Sequence, residues 1–307
     1  LSPPFTEALR EISPGIRFMA GAALSFSVMA ALVKLAGRSV PTMEVVLVRS
    51  LVVALLAWVS LSRRGVSPLG HDRGLLLLRG LLGFLSLSCF YYALIHLPLA
   101  DATVIQYTNP VFTALIAAVV LGEVMGRREV TLTLASLAGV VLVARPSFLL
   151  GGGEGLPSGP VLVALAGAVL SAAAYVTVRR LRREDVMVVI LYFSVMSVLL
   201  SLPFVGGFRL PTGPESLLLL GVGVFTFLGQ VSLTWGLRLE TAGRATSVGY
   251  LQLLFAALWG VLLFQEVPDG FTVLGGGVIV GCTYLLARSR ALPTVAPGGG
   301  SSVRSER

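Results

Sequence analysis

Charge is what this chain most lacks. Only 12% of its 307 residues are charged and 55% are hydrophobic, against about 25% charged residues in an ordinary soluble domain. Such a chain cannot cover itself with a polar surface, so most of it needs lipid as its solvent. Cysteine and histidine are equally scarce. Cys89 and Cys282 both fall inside apolar runs without partner spacing, which excludes a disulfide framework and a cysteine metal site. With His71 and His96 the only histidines, histidine-rich metal sites are excluded as well. No GxxxxGK[ST] loop occurs, and the stretch from Gly151 to Gly155 lacks the lysine and reads as a flexible connection. No metal and no cofactor is implied.

The formal charge of +8 and the pI near 10.2 would suggest nucleic acid in a soluble protein. Here the basic residues lie between apolar runs, so the partner they indicate is the lipid bilayer and not nucleic acid. The first fifteen residues carry no signal-peptide cleavage pattern, and the apolar run that follows is expected to be a retained span.

Runs of roughly 17 to 25 uncharged or nearly uncharged residues can each cross a hydrocarbon core of about 30 Å. They are placed near 16–37, 43–62, 75–96, 101–122, 129–145, 159–178, 186–208, 216–237, 243–265 and 270–288. The fifth is the shortest, with Glu129 and Arg145 bracketing it. Lipid cannot satisfy an open strand edge, and the runs are about twice the length of a barrel strand, so ten α-helices are expected.

Most Lys and Arg residues then fall on one side. That side holds Arg63, Arg64, Arg73, Arg79, Arg127, Arg128, Arg179, Arg180, Arg182, Arg183, Arg238 and Arg244 together with the basic residues of both termini. The other side holds only Lys34, Arg38, Arg145 and Arg209, while Arg49 lies within a span. Under the positive-inside rule both termini are expected in the cytoplasm. Residues 1–15 form a cytoplasmic segment, and the Gly-, Ser- and Arg-containing end, 290–307, reads as a disordered tail.

Sliding the chain on itself by 143 residues brings Ala102, Thr103, Tyr107, Phe112, Glu123, Val124 and Arg145 onto Ala245, Thr246, Tyr250, Phe255, Glu266, Val267 and Arg288. Matches of Ala and Leu are cheap in this composition, whereas matches of Tyr, Glu and Arg are not. The chain therefore reads as two five-helix repeats, 16–146 and 159–289, joined by 147–158. Five is odd, so the second copy must enter the membrane upside down relative to the first. Inverted repeats of this kind place a substrate site near the bilayer midplane.

The segment ATVIQYTNPVFTALIAAVVLGEVMGRREVTLTLASLAGVVLVARP and its partner ATSVGYLQLLFAALWGVLLFQEV resemble the EamA-type repeat of the drug/metabolite transporter superfamily. The helix containing MEVVLVRS resembles that family's second helix. The likeness covers roughly residues 16–289, and its motifs are specific for fold and loose for substrate. It implies a multi-pass protein of the bacterial inner membrane, a monomer or homodimer, that exports amino acids, aromatic ones among them, or related small metabolites.

Candidate path residues come from helical spacing. In the fourth helix Thr103, Gln106, Tyr107, Pro110 and Ala114 share a face too polar for lipid, with Asn109 beside it. Pro110 has no N–H to give the Gln106 carbonyl, a break tolerated where other protein groups or water can satisfy the freed oxygen. The ninth helix offers Tyr250 and Gln252, the eighth Thr226, Gln230 and Trp235, the third Ser88 and Tyr92, and the sixth Tyr175. These residues are the expected substrate contacts, with Pro110 a gating element and Arg49 an anchor for a substrate carboxylate. Each has a plainer reading. Ser, Thr and Gln in membrane helices often bond a neighbouring helix, Tyr and Trp often mark the interface, and Arg49 could be structural glue to Glu44.

Glu123 and Glu266 lie at helix boundaries and are expected to pair with basic side chains or to cap a helix start. Ala135 with Gly139, and Gly277 with Gly281, are expected to pack closely against neighbouring helices. Every Asp and Glu falls at or near a span end or in a loop, so no proton relay is evident and a facilitator is the simpler expectation. An intramembrane enzyme would need clustered His, Asp or Glu, or a serine elbow, inside the spans, and catalytic residues are accordingly not expected.

Overall fold

The computed structural model describes residues 12–37, 39–97, 99–144, 157–205, 211–264 and 270–288. Arg38, Arg145, Arg209, Glu266, the 147–156 connection and the tail lie outside the described residues. Among the described residues twelve α-helices follow in order: α1 (Pro14–Ala36), α2 (Thr42–Arg63), α3 (Arg73–His96), α4 (Leu99–Gln106), α5 (Asn109–Leu121), α6 (Arg127–Ala144), α7 (Ser158–Arg180), α8 (Val186–Ser201), α9 (Gly213–Leu239), α10 (Ala242–Val248), α11 (Leu251–Phe264) and α12 (Gly270–Arg288). No strand occurs among the described residues.

Polar residues between the apolar runs stop and start these helices. The Asp72 carboxylate accepts the Leu75 N–H at 3.1 Å and Asp185 accepts the Met187 N–H at 2.7 Å, so each satisfies a donor that a first helical turn leaves free. Gly122, at φ 66°, closes α5 in the left-handed region where a side chain would be strained.

Nine helical segments among the described residues are long and apolar enough to cross a membrane, with α4 and α5 forming one crossing and α10 and α11 another. The remaining helix, α6, opens on Arg127, Arg128 and Glu129 and lies along α12. It is the tenth crossing, and its charged first turn is why it is the least apolar.

Packing between the halves is reciprocal. In the second half α9 and α11 flank α1, and in the first half α3 and α5 flank α7. Helix α2 crosses α8, and α6 crosses α12. Exchanging the halves maps each of these contacts onto another or onto itself, which is the pseudo-two-fold relation of an inverted repeat. At the α6–α12 crossing a Cβ on Gly139 would lie 2.9 Å from the Gly275 carbonyl oxygen, so only glycine lets the two backbones meet. The Gly139 expectation holds with Gly275 as partner. Gly277 and Gly281 differ, because a Cβ on either would meet open space, on the outer face of α12.

Candidate translocation site

The fourth and ninth crossings are both broken, and at matching positions. Between α4 and α5 the chain turns through Tyr107 and Thr108, and the Thr108 N–H reaches back three residues to the Ile105 carbonyl at 3.1 Å. Between α10 and α11 it turns through Gly249 and Tyr250, whose N–H groups bond the carbonyls of Thr246 and Ser247, again three residues back. Pro110 makes the first break legible in sequence. The second has no proline.

The two breaks meet. The Tyr250 hydroxyl donates to the Tyr107 carbonyl at 3.1 Å, and the two rings lie 5.8 Å apart at 55°. Sequence reasoning expected a freed carbonyl at Gln106, and the carbonyl that a side chain reaches is the next one along. Gln106 closes α4 with its side-chain oxygen buried and without a hydrogen-bond partner. Asn109 and Pro110 are buried at the start of α5, and the Asn109 carbonyl accepts from Thr113 at 2.8 Å.

A buried residue of α3 is one that its charge grouped with the arginines of the basic side. Arg79 is the seventh residue of α3, roughly 9 Å along the helix, and only 3% of it is exposed. Its guanidinium lies over the Phe193 ring of α8 at 4.5 Å from the centroid, a cation–π contact. Its Nη2 is 3.5 Å from the Gln230 side-chain oxygen, while Nε and Nη1 are buried without partners. Tyr175 of α7 is close enough to interact electrostatically with both Arg79 and Tyr107. The run around Arg79, RGLLGFL, held the missed signal: a Cβ on Gly83 would fall 2.3 Å from Nη1, so the glycine makes the space that the guanidinium fills.

The structure thus joins Tyr107 to Tyr250, and Arg79 to Gln230. It places the other expected contacts elsewhere. Ser88 and Thr226 donate to carbonyls of their own helices, those of Phe84 at 3.0 Å and Val222 at 2.6 Å, which is the structural role of such hydroxyls. Tyr92 is exposed and stacks on His96 at 4.0 Å, and the His96 Nδ1 is 2.9 Å from the Tyr92 carbonyl oxygen. That pair has the character of an interface anchor. Trp235 is exposed near the end of α9, stacked on Phe18 with Arg238 above it. Gln252 is half-buried as the second residue of α11. Arg49 is buried in α2 with Nε unpartnered, and no ion pair joins it to Glu44.

Polar contacts between the halves concentrate at the end where α2, α5, α7 and α9 finish. Glu123 accepts from Arg179 at 2.6 Å and from the Ala242 N–H at 2.8 Å, so one carboxylate pairs with a base and caps α10, as expected. Arg179 also donates to the carbonyls of Leu237, at 3.3 Å, and Arg238. Arg64 grips Asp185 through two bonds of 2.9 and 3.0 Å. Glu184 accepts the N–H groups of His71 and Asp72 at 2.7 and 2.6 Å. Ser13 bonds Glu240, which pairs with Arg244 at 3.1 Å, and Arg244 donates to the Leu286 carbonyl near the end of α12. The start of α1 and the end of α12 therefore share this end.

Burial raises the Asp185 carboxyl, but the hydrogen bonds from Arg64 and the Met187 N–H outweigh it and hold Asp185 below the usual aspartate range. Glu184 is likewise raised by burial and lowered further by the Asp72 and His71 N–H groups, ending below the glutamate range. A recess of about 440 Å³ at this end is lined by Arg64, His71, Glu184, Asp185, Trp235 and Arg238 among others.

Two inverted repeats with their broken helices meeting between them are matched by sequence over both copies: residues 13–145 and 158–288 each match the EamA-like transporter family. The chain belongs to that family. It is a membrane transporter and not an enzyme, as its resemblance implied. It is similar to the pseudopaline exporter of Pseudomonas aeruginosa, with 34% identity over 282 residues covering 91% of this chain and 98% of that protein. It is also similar to human solute carrier family 35 member G1, with 34% identity over 227 residues, 70% of this chain and 62% of that one. A solved crystal structure with 23% identity superposes with a TM-score of 0.76, covering 89% of this chain and 97% of the other, and shows the same fold.

Proposed function

We propose that this transporter exports amino acids or related small metabolites across the bacterial inner membrane, by alternating access and as a facilitator. The observation that carries the reading is the hydrogen bond between the two helix breaks, Tyr250 to Tyr107. Broken helices expose backbone that can serve a substrate, and here the two breaks touch between the halves, where a rocking motion would alternately open each side.

The ionic contacts at the arginine-rich end supply the matching gate. They link the two halves and sit at helix ends, so they can part without unpacking the apolar core. That end is the cytoplasmic one by its charge, with both termini on that side. Likeness to a pseudopaline exporter supports outward transport and brings pseudopaline-like metabolites into the substrate set. No Asp or Glu lies in the interior of a span, which favours a facilitator over a proton-coupled carrier.

The test is flux in proteoliposomes holding the purified chain, with and without an imposed pH gradient. Saturable amino-acid or metabolite flux that ignores the gradient is expected. Flux that follows the gradient would replace the facilitator with a proton-coupled carrier. No flux of any small metabolite would overturn the transport assignment of substrate and mechanism together.

A further inference from the structure

Arg79 is a buried cation without a counter-ion. Its exposure is 3%, two of its three guanidinium nitrogens lack any hydrogen-bond partner, and the third reaches only a neutral amide at 3.5 Å. Among the described residues carboxylates pair with Arg64, Arg179, Arg244 and His71 at helix ends, and none pairs with Arg79. Leaving a charge in this state is unfavourable unless something else completes it.

The fold nevertheless builds room for it. Gly83 leaves the volume that the guanidinium occupies, and Phe193 offers its ring face on one side. An arginine held flat against an aromatic ring keeps its N–H edges free, and those edges match the two oxygens of a carboxylate. The side chain that it reaches, Gln230, is a neutral amide. Arg49, in the same half, is a second buried cation with an unpartnered N–H. Within the crossings the described acidic side chains Glu44, Glu129 and Glu215 stand in first helical turns, and none pairs with Arg79.

We infer that the cargo is a carboxylate-bearing metabolite of net negative charge, and that Arg79 holds its carboxylate. This narrows the proposed function and rests on it. A free zwitterionic amino acid satisfies Arg79 through its carboxylate but brings an ammonium group for which no acidic partner of Arg79 provides a counter-charge. An acidic or N-blocked amino acid, or a metabolite with several carboxylates, meets the site without that cost.

The experiment loads proteoliposomes with an equimolar mixture of N-acetyl-L-phenylalanine, succinate, L-phenylalanine and L-phenylalaninamide, and follows efflux of each by mass spectrometry against protein-free liposomes. The wild-type chain is expected to release the two anions at least tenfold faster than the zwitterion and the amide. Arg79→Gln is expected to lose that preference and to lower anion efflux at least tenfold, with Arg79→Lys restoring part of it. Equal efflux of zwitterion and anions, or anion efflux unchanged in Arg79→Gln, would overturn the inference and leave the transport reading standing. Efflux of none of the four by the wild type overturns the inference, while a full metabolite extract loaded the same way decides the transport reading separately. Should Arg79→Gln not fold, the charge preference of the wild type still decides, because a purely structural arginine creates none.

Discussion

The hydroxyl of Tyr250 donates to the backbone carbonyl of Tyr107, and the two tyrosines stand at equivalent positions 143 residues apart in the two repeats. One repeat thus supplies the donor and the other the carbonyl that its own broken helix leaves available. The bond is asymmetric although the repeats are related by pseudo-symmetry.

Removing that donor is the most direct probe of the paired breaks. Tyr250→Phe keeps the ring, which is fully buried, and strands the Tyr107 carbonyl. A loss of about 1 to 3 kcal/mol is expected, seen as a lower melting temperature of the purified protein in detergent. Unchanged melting and unchanged flux would mean that the bond neither supports the breaks nor contributes to transport.

Glu123 serves two partners from the other half. Its side chain and that of Arg179 are 7% and 12% exposed, so deleting the carboxylate leaves a buried base uncompensated. Glu123→Ala is expected to cost about 3 to 5 kcal/mol and to reduce the monodisperse yield on size-exclusion chromatography. Glu123→Gln should recover part of it by keeping the bond to the Ala242 N–H. Full yield from Glu123→Ala would remove this residue from the list of structural ties.

The pH dependence follows from Asp185 and Glu184. Both carboxyls are held below their ordinary range in the folded chain, so the stability they contribute is complete above the unfolded values of about 3.9 and 4.3. It is lost as pH falls through the lower folded values. Melting temperature should therefore be nearly flat from pH 8 to 5 with respect to these groups and decline below about pH 4. Asp185→Asn should flatten part of that acid limb, and a wild-type profile that falls between pH 7 and 5 would assign the titration to other groups.

The α6–α12 crossing tests packing apart from transport. Gly139→Leu forces a side chain against the Gly275 backbone, where even a Cβ would approach to 2.9 Å. Folded yield should drop several-fold while flux per folded molecule is retained, since the two glycines pack against each other whereas the breaks meet through Tyr107 and Tyr250. A loss of specific flux at normal yield would bring this pair into the mechanism through Ile279, which shares a buried cluster with Tyr250.

Side-chain truncation at the centre separates lining from scaffold. Gln106→Ala and Gln230→Ala are expected to lower flux at least fivefold with normal yield, and Ser88→Ala and Tyr92→Ala to leave flux within twofold. Flux unchanged in both glutamine variants would remove them from the path.

Hydropathy made the crossings legible because lipid imposes one rule on every span, and Pro110 made the first break legible because a missing N–H is written in the residue itself. The second break was invisible. It rests on Tyr250 reaching a carbonyl in the other repeat, a contact between residues that no local pattern connects. Arg79 was misread for a related reason. It lies six residues after Arg73, so charge alone groups both on the basic side although Arg79 falls within the third apolar run, and only the room left by Gly83 and the ring of Phe193 shows that it is enclosed. Helical spacing placed Ser88 with Tyr92 and Thr226 with Gln230 on single faces, with Trp235 following, but spacing cannot say which neighbour covers which part of a helix. Gln230 meets Arg79, while Trp235, just over one turn further along α9, is exposed near the helix end.

Arginines buried in spans without a carboxylate partner bear on what drives export. If the cargo is an anion, it leaves a cell whose interior is electrically negative by moving down the voltage. Each net negative charge carried outward then releases about 2.3 kcal/mol per 100 mV, equivalent to roughly a fifty-fold concentration ratio. A carrier built in this way has no need of a proton or sodium partner to run in one direction. The resting voltage of the cell would itself be the engine, and collapsing it would stop the flow while leaving the carrier intact.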